Sequence, residues 1–145
     1  MRIVVVAVGR VKDRALRAVL DDYFGRVRRY TACDEIELAD APHAKLEPLF
    51  AKHTAEATTI ALEIGGRMLG SEPFAAAIEK ASARHKGVVA FLIGGADGLP
   101  PSVSKAAHDR WSLSPLTFPH RLARLVLIEQ IYRSMTILRG EPYAH

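Results

Sequence analysis

Cysteine is scarce and long apolar runs are absent in this sequence of 145 residues, and each shortage excludes a class of protein. Cys33 is the only cysteine, so the chain forms no internal disulfide, and we expect a cytoplasmic location. A lone thiol is either reactive or, more commonly, a packing residue. No apolar run approaches the ~20 residues of a membrane span, and no Cys/His cluster has zinc spacing. We therefore expect neither a membrane partner nor a metal site.

The glycine motifs of the common nucleotide-binding folds are also missing. Gly94 and Gly95 follow an apolar run, but the sequence around them is neither G-x-G-x-x-G nor a P-loop. Ordinary dinucleotide and nucleoside triphosphate binding therefore lose support. A double glycine lets backbone approach a ligand closely, because no Cβ intervenes, although such a pair more often forms a simple turn.

Basic residues are in modest excess, with a net charge of +4 and a pI of about 9.5. Arginine dominates them, and it suits phosphate binding and stacking, so nucleic acid is a plausible partner. The basic residues form two clusters near the start of the chain, at Arg10, Lys12, Arg14 and Arg17 and at Arg26, Arg28 and Arg29. The candidate RNA contacts are Arg10, Lys12, Arg14, Arg26 and Arg29. Ordinary solvated charge is the alternative interpretation of both clusters.

Apolar runs alternate with helical periodicities, which predicts an α/β domain with a mostly parallel sheet and helices on both faces. Arg2–Val8 and Val88–Ile93 are continuous apolar runs, typical of strands buried on both faces. Further strands are predicted at residues 34–38, 59–64 and 110–113, and helices at residues 14–30, 44–57, 71–84, 101–107 and 120–138. Asp13 and Ser71 are the candidate N-caps. Pro48 should lie in the first turn of its helix or break it, and Gly65-Gly66 should form a turn. One domain should span residues 1–145.

Three loops are expected at the carboxyl edge of this sheet, where ligands bind in such folds: residues 63–67, 94–99 and 112–119. The last loop belongs to the stretch WSLSPLTFP, Trp111–Pro119, which contains two prolines and no charged residue. Loops are normally polar and solvated. An apolar loop with interspersed hydroxyls indicates either backbone wrapped around a ligand or a tight connection under its own helix.

The final helix is apolar on several faces, since it carries Leu122, Leu125, Val126, Ile128 and Ile131. A helix of this kind needs cover on more than one side. We predict a homodimer through this helix, and cover by neighbouring helices within the monomer is the alternative.

The chain resembles the family of ribosomal RNA large subunit methyltransferase H, of the SPOUT superfamily, in blocks that run its whole length. The blocks read AVGRVK at residues 7–12, ALEIGG at residues 61–66, LIGGADGL at residues 92–99, WSLSPLTFPHRLARLVLIEQIYR at residues 111–133 and RGEPY at residues 139–143. The resemblance implies a C-terminal trefoil knot and S-adenosyl-L-methionine as the cofactor. It further implies methylation of N3 of a pseudouridine in 23S rRNA, with the assembled ribosome as substrate.

The resemblance also assigns residues to this chemistry. The implied cofactor contacts are Leu62, Gly95, Ser114, Pro115, Leu116, Thr117, Phe118 and Pro119. N3 of a uracil-type base must lose its proton, so a base or an anion-stabilising cation is needed. The candidates for that role are His120, Arg133, Tyr143 and His145. His120 could instead cap the last helix, Arg133 could be a structural ion-pair partner, and the tail could be frayed.

Two features of the sequence depart from the family pattern. The family usually ends in Pro-Tyr-His and a basic residue, whereas Ala144 follows Tyr143 here and His145 is last. The segment at residues 54–59 is also shortened. Because the tail differs, a relative that binds RNA but has lost activity is the alternative hypothesis, and a generic nucleotide-binding α/β protein is a third.

Overall fold

Five parallel strands form the centre of the fold, and a computed structural model describes residues 1–144 of the chain. The strands are β1 (Arg2–Val8), β2 (Ala32–Leu38), β3 (Thr58–Met68), β4 (Val88–Ile93) and β5 (Asp109–Ser112). They lie in the order β2-β1-β4-β3-β5, and every pair is parallel. The helices are α1 (Arg14–Arg28), α2 (His43–Thr54), α3 (Ser71–Ser82), α4 (Pro101–Ala106) and α5 (His120–Leu138), with short 3-10 helices at His85–Gly87 and Pro142–Ala144. The predicted α/β class is confirmed.

Helices cover both faces of the sheet, as predicted. Successive residues of a strand point to opposite faces, and β1 accordingly contributes to two separate cores. Ile3 and Val5 pack with residues of α1, α3 and α5, whereas Val4 and Val6 pack with residues of α2 and α4. Cys33 is buried in the first core, and this burial raises the pKa of its thiol to about 12, so it is a packing residue.

Of the two predicted caps, one is correct. Asp13 caps α1, because its carboxylate accepts a hydrogen bond of 2.9 Å from the backbone N–H of Leu16. Ser71 does not cap α3, whose N-cap is Gly70. The hydroxyl of Ser71 instead donates to Oε1 of Gln130 at 2.8 Å and ties α3 to α5.

Two expectations about local chain breaks are wrong. Gly65-Gly66 is not a turn, since β3 continues to Met68 with a shift in its register against β5. A Cβ on Gly66 would lie 2.7 Å from the backbone of Arg110 and Trp111, so this glycine serves close strand contact. Pro48 lies in the interior of α2 without ending it. Burial of Leu46 and Phe50 in the second core holds that helix together despite the missing N–H donor.

Helix α5 packs against α1 and α3 along the sheet. Its buried residues include Leu127, Ile128 and Ile131, while Leu122 keeps 43% of its surface exposed. The predicted homodimer through this helix stays a prediction. Among the described residues, no helix is both long and apolar enough to cross a membrane.

Candidate active site

A cavity of about 770 Å³ opens at the carboxyl edge of the sheet. It lies between residues 62–65 of β3, the turn that follows β4 and the loop that leads from β5 into α5. Of the eight implied cofactor contacts, seven line it: Leu62, Gly95, Ser114, Leu116, Thr117, Phe118 and Pro119. Pro115 is exposed and is not among the lining residues. Two of the three loops placed at this edge from the sequence, residues 94–99 and 112–119, therefore meet around one space. The third, residues 63–67, is not a loop, because β3 continues through it to Met68.

Glycine shapes the floor of this cavity. A Cβ on Gly94 would lie 2.3 Å from the backbone carbon of Gly98, so only glycine fits inside this turn. A Cβ on Gly95 would lie 3.1 Å from Cγ1 of Val8 at the end of β1. The turn therefore exposes backbone atoms to the cavity with no side chain between them and a ligand.

The loop between β5 and α5 is held by its own hydroxyls. The backbone N–H of Leu116 donates to Oγ of Ser114 at 2.9 Å, and Oγ of Ser112 donates to the carbonyl of Ser114 at 3.0 Å. Leu116 stays 70% exposed at the cavity mouth. The ionisable side chains of the lining are Glu63 and His120, and no lysine or arginine occurs among the described lining residues. The cavity is therefore apolar and contains no fixed cation.

His120 lines the cavity at the first position of α5. The N-cap of that helix is Pro119, so the alternative that His120 is the cap is wrong. The imidazole lies against Gly9, where a Cβ would be only 3.3 Å from its Nε2 atom. Gly9 has φ +96°, a conformation that favours glycine, and the ring occupies the space that a side chain would need.

Arg133 and Tyr143 lie away from this cavity. Arg133 follows His120 by 13 residues, which places it about 20 Å further along the axis of α5. Its guanidinium pairs with Glu129 at 3.1 Å and stacks 4.9 Å from the centre of the Tyr143 ring. Arg133 is thus an ion-pair partner, and one protomer does not bring it to His120. His145 lies outside the described residues.

Tyr143 belongs to an array of four tyrosines and three arginines that fixes the tail. We call this the tyrosine–arginine cluster, and its members are Tyr23, Tyr30, Tyr132, Tyr143, Arg26, Arg133 and Arg139. The ring of Tyr143 lies 4.6 Å from that of Tyr132, and the hydroxyl of Tyr30 donates to Glu141 at 2.6 Å. Burial and a hydrogen bond with Tyr23 raise the pKa of Tyr143 to about 12. Its phenol is therefore a hydrogen-bond donor at neutral pH and not a base.

The candidate RNA contacts divide into two groups. Arg10, Lys12, Arg14 and Arg29 are exposed. Arg26 is engaged within the chain, because it pairs with Asp22 at 3.0 Å and stacks on two rings of the tyrosine–arginine cluster. The other two basic residues of the clusters are likewise engaged, Arg17 by carboxylates of β2 and Arg28 by the carbonyl of Cys33.

Sequence reasoning missed a buried arginine beside the cavity. Arg124 is 1% exposed and pairs with both Glu35 and Glu37 of β2. Burial opposes ionisation of Glu37, but hydrogen bonds from the backbone N–H of Val11 and from Arg124 lower the pKa of its carboxyl. The available signals were an arginine between the apolar residues Leu122 and Leu125 of α5 and two alternate glutamates on β2. Within residues 1–144, no group of three or more His, Cys, Asp or Glu side chains is arranged to hold a metal ion.

Comparison with known proteins assigns the family. The model of the SPOUT methyltransferases, described as a predicted SPOUT methyltransferase family, matches residues 1–145. The chain is a member of the SPOUT methyltransferase family. Ribosomal RNA large subunit methyltransferase H of Sorangium cellulosum is 72% identical over 145 residues, with both chains fully covered. The protein of the same name from Bacillus pumilus is 40% identical over 157 positions, with 99% of each chain covered. Within the superfamily, the chain therefore belongs to the ribosomal RNA large subunit methyltransferase H family.

Solved structures share the fold at low sequence identity. The tRNA (m1G37) methyltransferase of Aquifex aeolicus aligns with a TM-score of 0.59 and 10% identity, over 99% of this chain and 74% of that one. A probable methyltransferase from Bordetella pertussis aligns with a TM-score of 0.58 and 14% identity, over 92% and 96%. Membership of the SPOUT family implies that the C-terminal part of the chain forms a trefoil knot.

SPOUT methyltransferases use S-adenosyl-L-methionine, and the cavity fits this cofactor on two counts. Its volume lies within the ~300–1,000 Å³ that small-molecule sites occupy. Its lining carries one carboxylate, that of Glu63, and its described residues include no lysine or arginine that would repel a sulfonium cation.

Proposed function

We propose that this chain transfers a methyl group from S-adenosyl-L-methionine to N3 of a pseudouridine in 23S rRNA, on the assembled ribosome in the cytoplasm. The coarser part, methylation of large-subunit rRNA, is supported by 72% identity over the full length to a protein of that name. One structural observation carries the proposal: the cavity without fixed cations that Leu62, Gly95 and the loop 114–119 form together. The cofactor contacts that the family resemblance implies fall on the same segments, which supports the proposal.

The cofactor would be held mainly by backbone and apolar surface. The turn at Gly94-Gly95 and the loop from Ser114 to Pro119 would hold it, and Leu62 and Phe118 would exclude water from the methyl group. When bound, S-adenosyl-L-methionine supplies an electrophilic methyl group on a positively charged sulfur. Charge is neutralised as the nitrogen attacks, so an apolar site does not oppose the reaction and positioning contributes much of the rate.

Removal of the N3 proton needs residues from both ends of α5. His120 lies in the cavity and can accept a proton through its imidazole. Arg133 can stabilise the anionic base electrostatically, and Tyr143 can donate a hydrogen bond to it. Within one protomer these groups are about 20 Å apart along the helix. We propose that the homodimer brings the tail of one protomer to the cavity of its partner.

The exposed basic residues before and along α1 are the proposed phosphate contacts. Arg10, Lys12, Arg14 and Arg29 extend from the surface, whereas Arg26 would act chiefly by supporting the tail. Replacing Arg10 and Lys12 together by alanine should weaken ribosome binding and make it less dependent on salt, because fewer counterions are released. Cofactor affinity should stay unchanged. Replacement of Lys45 and Lys52, two exposed lysines of α2 on the other face of the sheet, is the matched control. Unchanged ribosome affinity in the Arg10/Lys12 variant would contradict the assignment.

Mass spectrometry of the target rRNA fragment tests the function. Ribosomes from a strain that lacks the modification are incubated with the protein, with and without S-adenosyl-L-methionine. We expect one added methyl group at N3 of a pseudouridine, and only when the cofactor is present. Intact cofactor and ribosome binding without methyl transfer would favour the alternative of an inactive RNA-binding relative, which the replacement of a family histidine by Ala144 suggests.

A further inference from the structure

A group of four charged side chains joins α1, α5 and β2 beside the cavity. Arg124 of α5 contacts the carboxylates of Glu35 and Glu37, and Arg17 of α1 contacts the same two carboxylates from the other side. Arg124 is 1% exposed, whereas the side chain of Arg17 is 25% exposed. The two arginines therefore share their acidic partners and differ in what else they reach.

Arg124 also reaches the residue that follows β1. The Nη2 atom of Arg124 donates to the carbonyl of Gly9 at 2.9 Å, and the N–H of Gly9 donates to the carbonyl of Leu38 at 2.7 Å. His120 precedes Arg124 by four residues, so both side chains lie on one face of α5. A Cβ on the same glycine would lie 3.3 Å from Nε2 of the His120 imidazole. Gly9 thus accepts a hydrogen bond from Arg124 and lies next to the ring of His120.

We propose that Arg124 is a positioning residue that fixes the imidazole of His120 in the cavity. Arg124 is not among the lining residues of the cavity and acts through Gly9 and the first turns of α5. By gripping Gly9 and the carboxylates of β2, it sets the distance between α5 and the end of β1. The inference rests on the proposed function, because that function makes His120 the group that accepts the N3 proton.

The chemistry of the side chain supports this assignment. A guanidinium presents donors on separate nitrogens in a fixed fork, so it can hold Gly9 and two carboxylates at once. The ammonium of lysine offers its donors from a single atom. The Nε atom of Arg124 is buried and makes no hydrogen bond to the described residues, which costs free energy. The two other nitrogens of the guanidinium hold Gly9 and the carboxylates of Glu35 and Glu37.

Arg124→Lys and Arg17→Lys form a matched pair of tests. Both keep the positive charge beside Glu35 and Glu37, but only the first removes the hydrogen bond to Gly9. In the full-length protein loaded with S-adenosyl-L-methionine, Arg124→Lys should shift the NMR resonances of the His120 ring, assigned through a His120→Gln variant. It should lower kcat on ribosomes roughly tenfold or more, because small displacements of reacting groups are costly. KM for ribosomes should stay within about twofold, because the basic surface is untouched. Arg17→Lys should leave the resonances and kcat unchanged.

Two results would overturn the inference. One is an unshifted His120 ring in Arg124→Lys, and the other is an equal shift in Arg17→Lys, which would show a general structural role. If Arg124→Lys does not fold, Glu37→Gln takes its place. The amide keeps the shape of the Glu37 side chain but weakens its ion pair with Arg124. That variant should shift the same resonances by a smaller amount, and an unmoved ring would equally contradict the inference. The NMR measurement does not depend on rRNA methylation, so failure of the proposed function is recognised separately by the absence of methylation with the unaltered protein.

Discussion

The two ends of α5 lie in chemically different surroundings. At its N-terminal end, the cavity uses backbone, glycines and apolar side chains, and its described lining holds no lysine or arginine. At its C-terminal end, the tyrosine–arginine cluster consists of charged and aromatic side chains that hold the tail in place. The first region suits a cofactor that carries its own positive charge, and the second suits an anionic base or a phosphate. Neither region alone contains all the groups that the proposed methyl transfer requires.

Loss of one reacting group from either end should have the largest effect. His120→Ala removes the candidate proton acceptor in the cavity, and Arg133→Met removes the cation that would stabilise the ionised base. Each should lower kcat roughly 100-fold, which is typical for the loss of general base or electrostatic assistance. The measurement is methyl transfer to unmodified ribosomes, with Lys52→Met on α2 as the control that should leave the rate unchanged. A rate close to the unaltered one in either variant would remove that residue from the proposed mechanism.

A new cation at the cavity should have the next largest effect. Leu116 is 70% exposed at the cavity mouth, so Leu116→Lys should not disturb folding. The lysine would repel the sulfonium, and about 1–2 kcal/mol of repulsion at an effective dielectric of ~20 corresponds to roughly tenfold weaker binding. Calorimetry should show this loss for S-adenosyl-L-methionine and much less for S-adenosylhomocysteine, which lacks the positive charge. Leu116→Gln controls for side-chain shape. Equal losses for both ligands would indicate a steric effect and argue against the electrostatic account.

Two neighbouring glycines at the edge of the cavity should differ in their effect on stability. A Cβ on Gly66 would lie 2.7 Å from the backbone of β5, whereas a Cβ on Gly65 meets nothing within 4 Å. Gly66→Ala should therefore lower the free energy of unfolding by about 1–3 kcal/mol, since the strands must move apart. Gly65→Ala should leave it nearly unchanged. Urea unfolding followed by circular dichroism measures both, and equal values for the two variants would contradict the close contact of β3 with β5.

The smallest effect concerns the pH dependence of the tyrosine–arginine cluster. The pKa of Tyr143 is raised from an ordinary value of 10.0 to about 12, so the unfolded chain releases this proton first as the pH rises. The resulting stabilisation is complete below pH 10 and is lost between about pH 10 and 12. Tyr143→Phe should therefore show a shallower loss of unfolding free energy across that range. Identical slopes for the two proteins would indicate that Tyr143 is not held in the cluster.

Local pattern in the sequence was sufficient to predict much of this fold. The continuous apolar runs of β1 and β4, the Asp13 cap and the bounds of α5 depend on neighbouring residues, and all of them are found in the structure. The continuation of β3 through Gly65-Gly66 was not predictable in this way, because it depends on close contact with β5. The partners of Arg124 were equally inaccessible, since Gly9, Glu35 and Glu37 lie 87 to 115 residues away in the chain. For the candidate site, the turn after β4 and the loop before α5 followed from the expected sheet. The extension of β3 in place of a loop at residues 63–67, and the separation of His120 from Arg133, needed the observed structure.

We propose that one active site takes its cavity from one protomer and its tail from the other. Mixing equal amounts of His120→Ala and Arg133→Met chains, with unfolding and reassembly, gives dimers of which about half are mixed. In each mixed dimer, one site combines the intact cavity with the intact tail. Methyl transfer by the mixture should recover to roughly one quarter of the unaltered rate, although each variant alone is nearly inactive. Failure of the mixture to exceed its two components, with mixed dimers shown to be present by mass spectrometry, would contradict it.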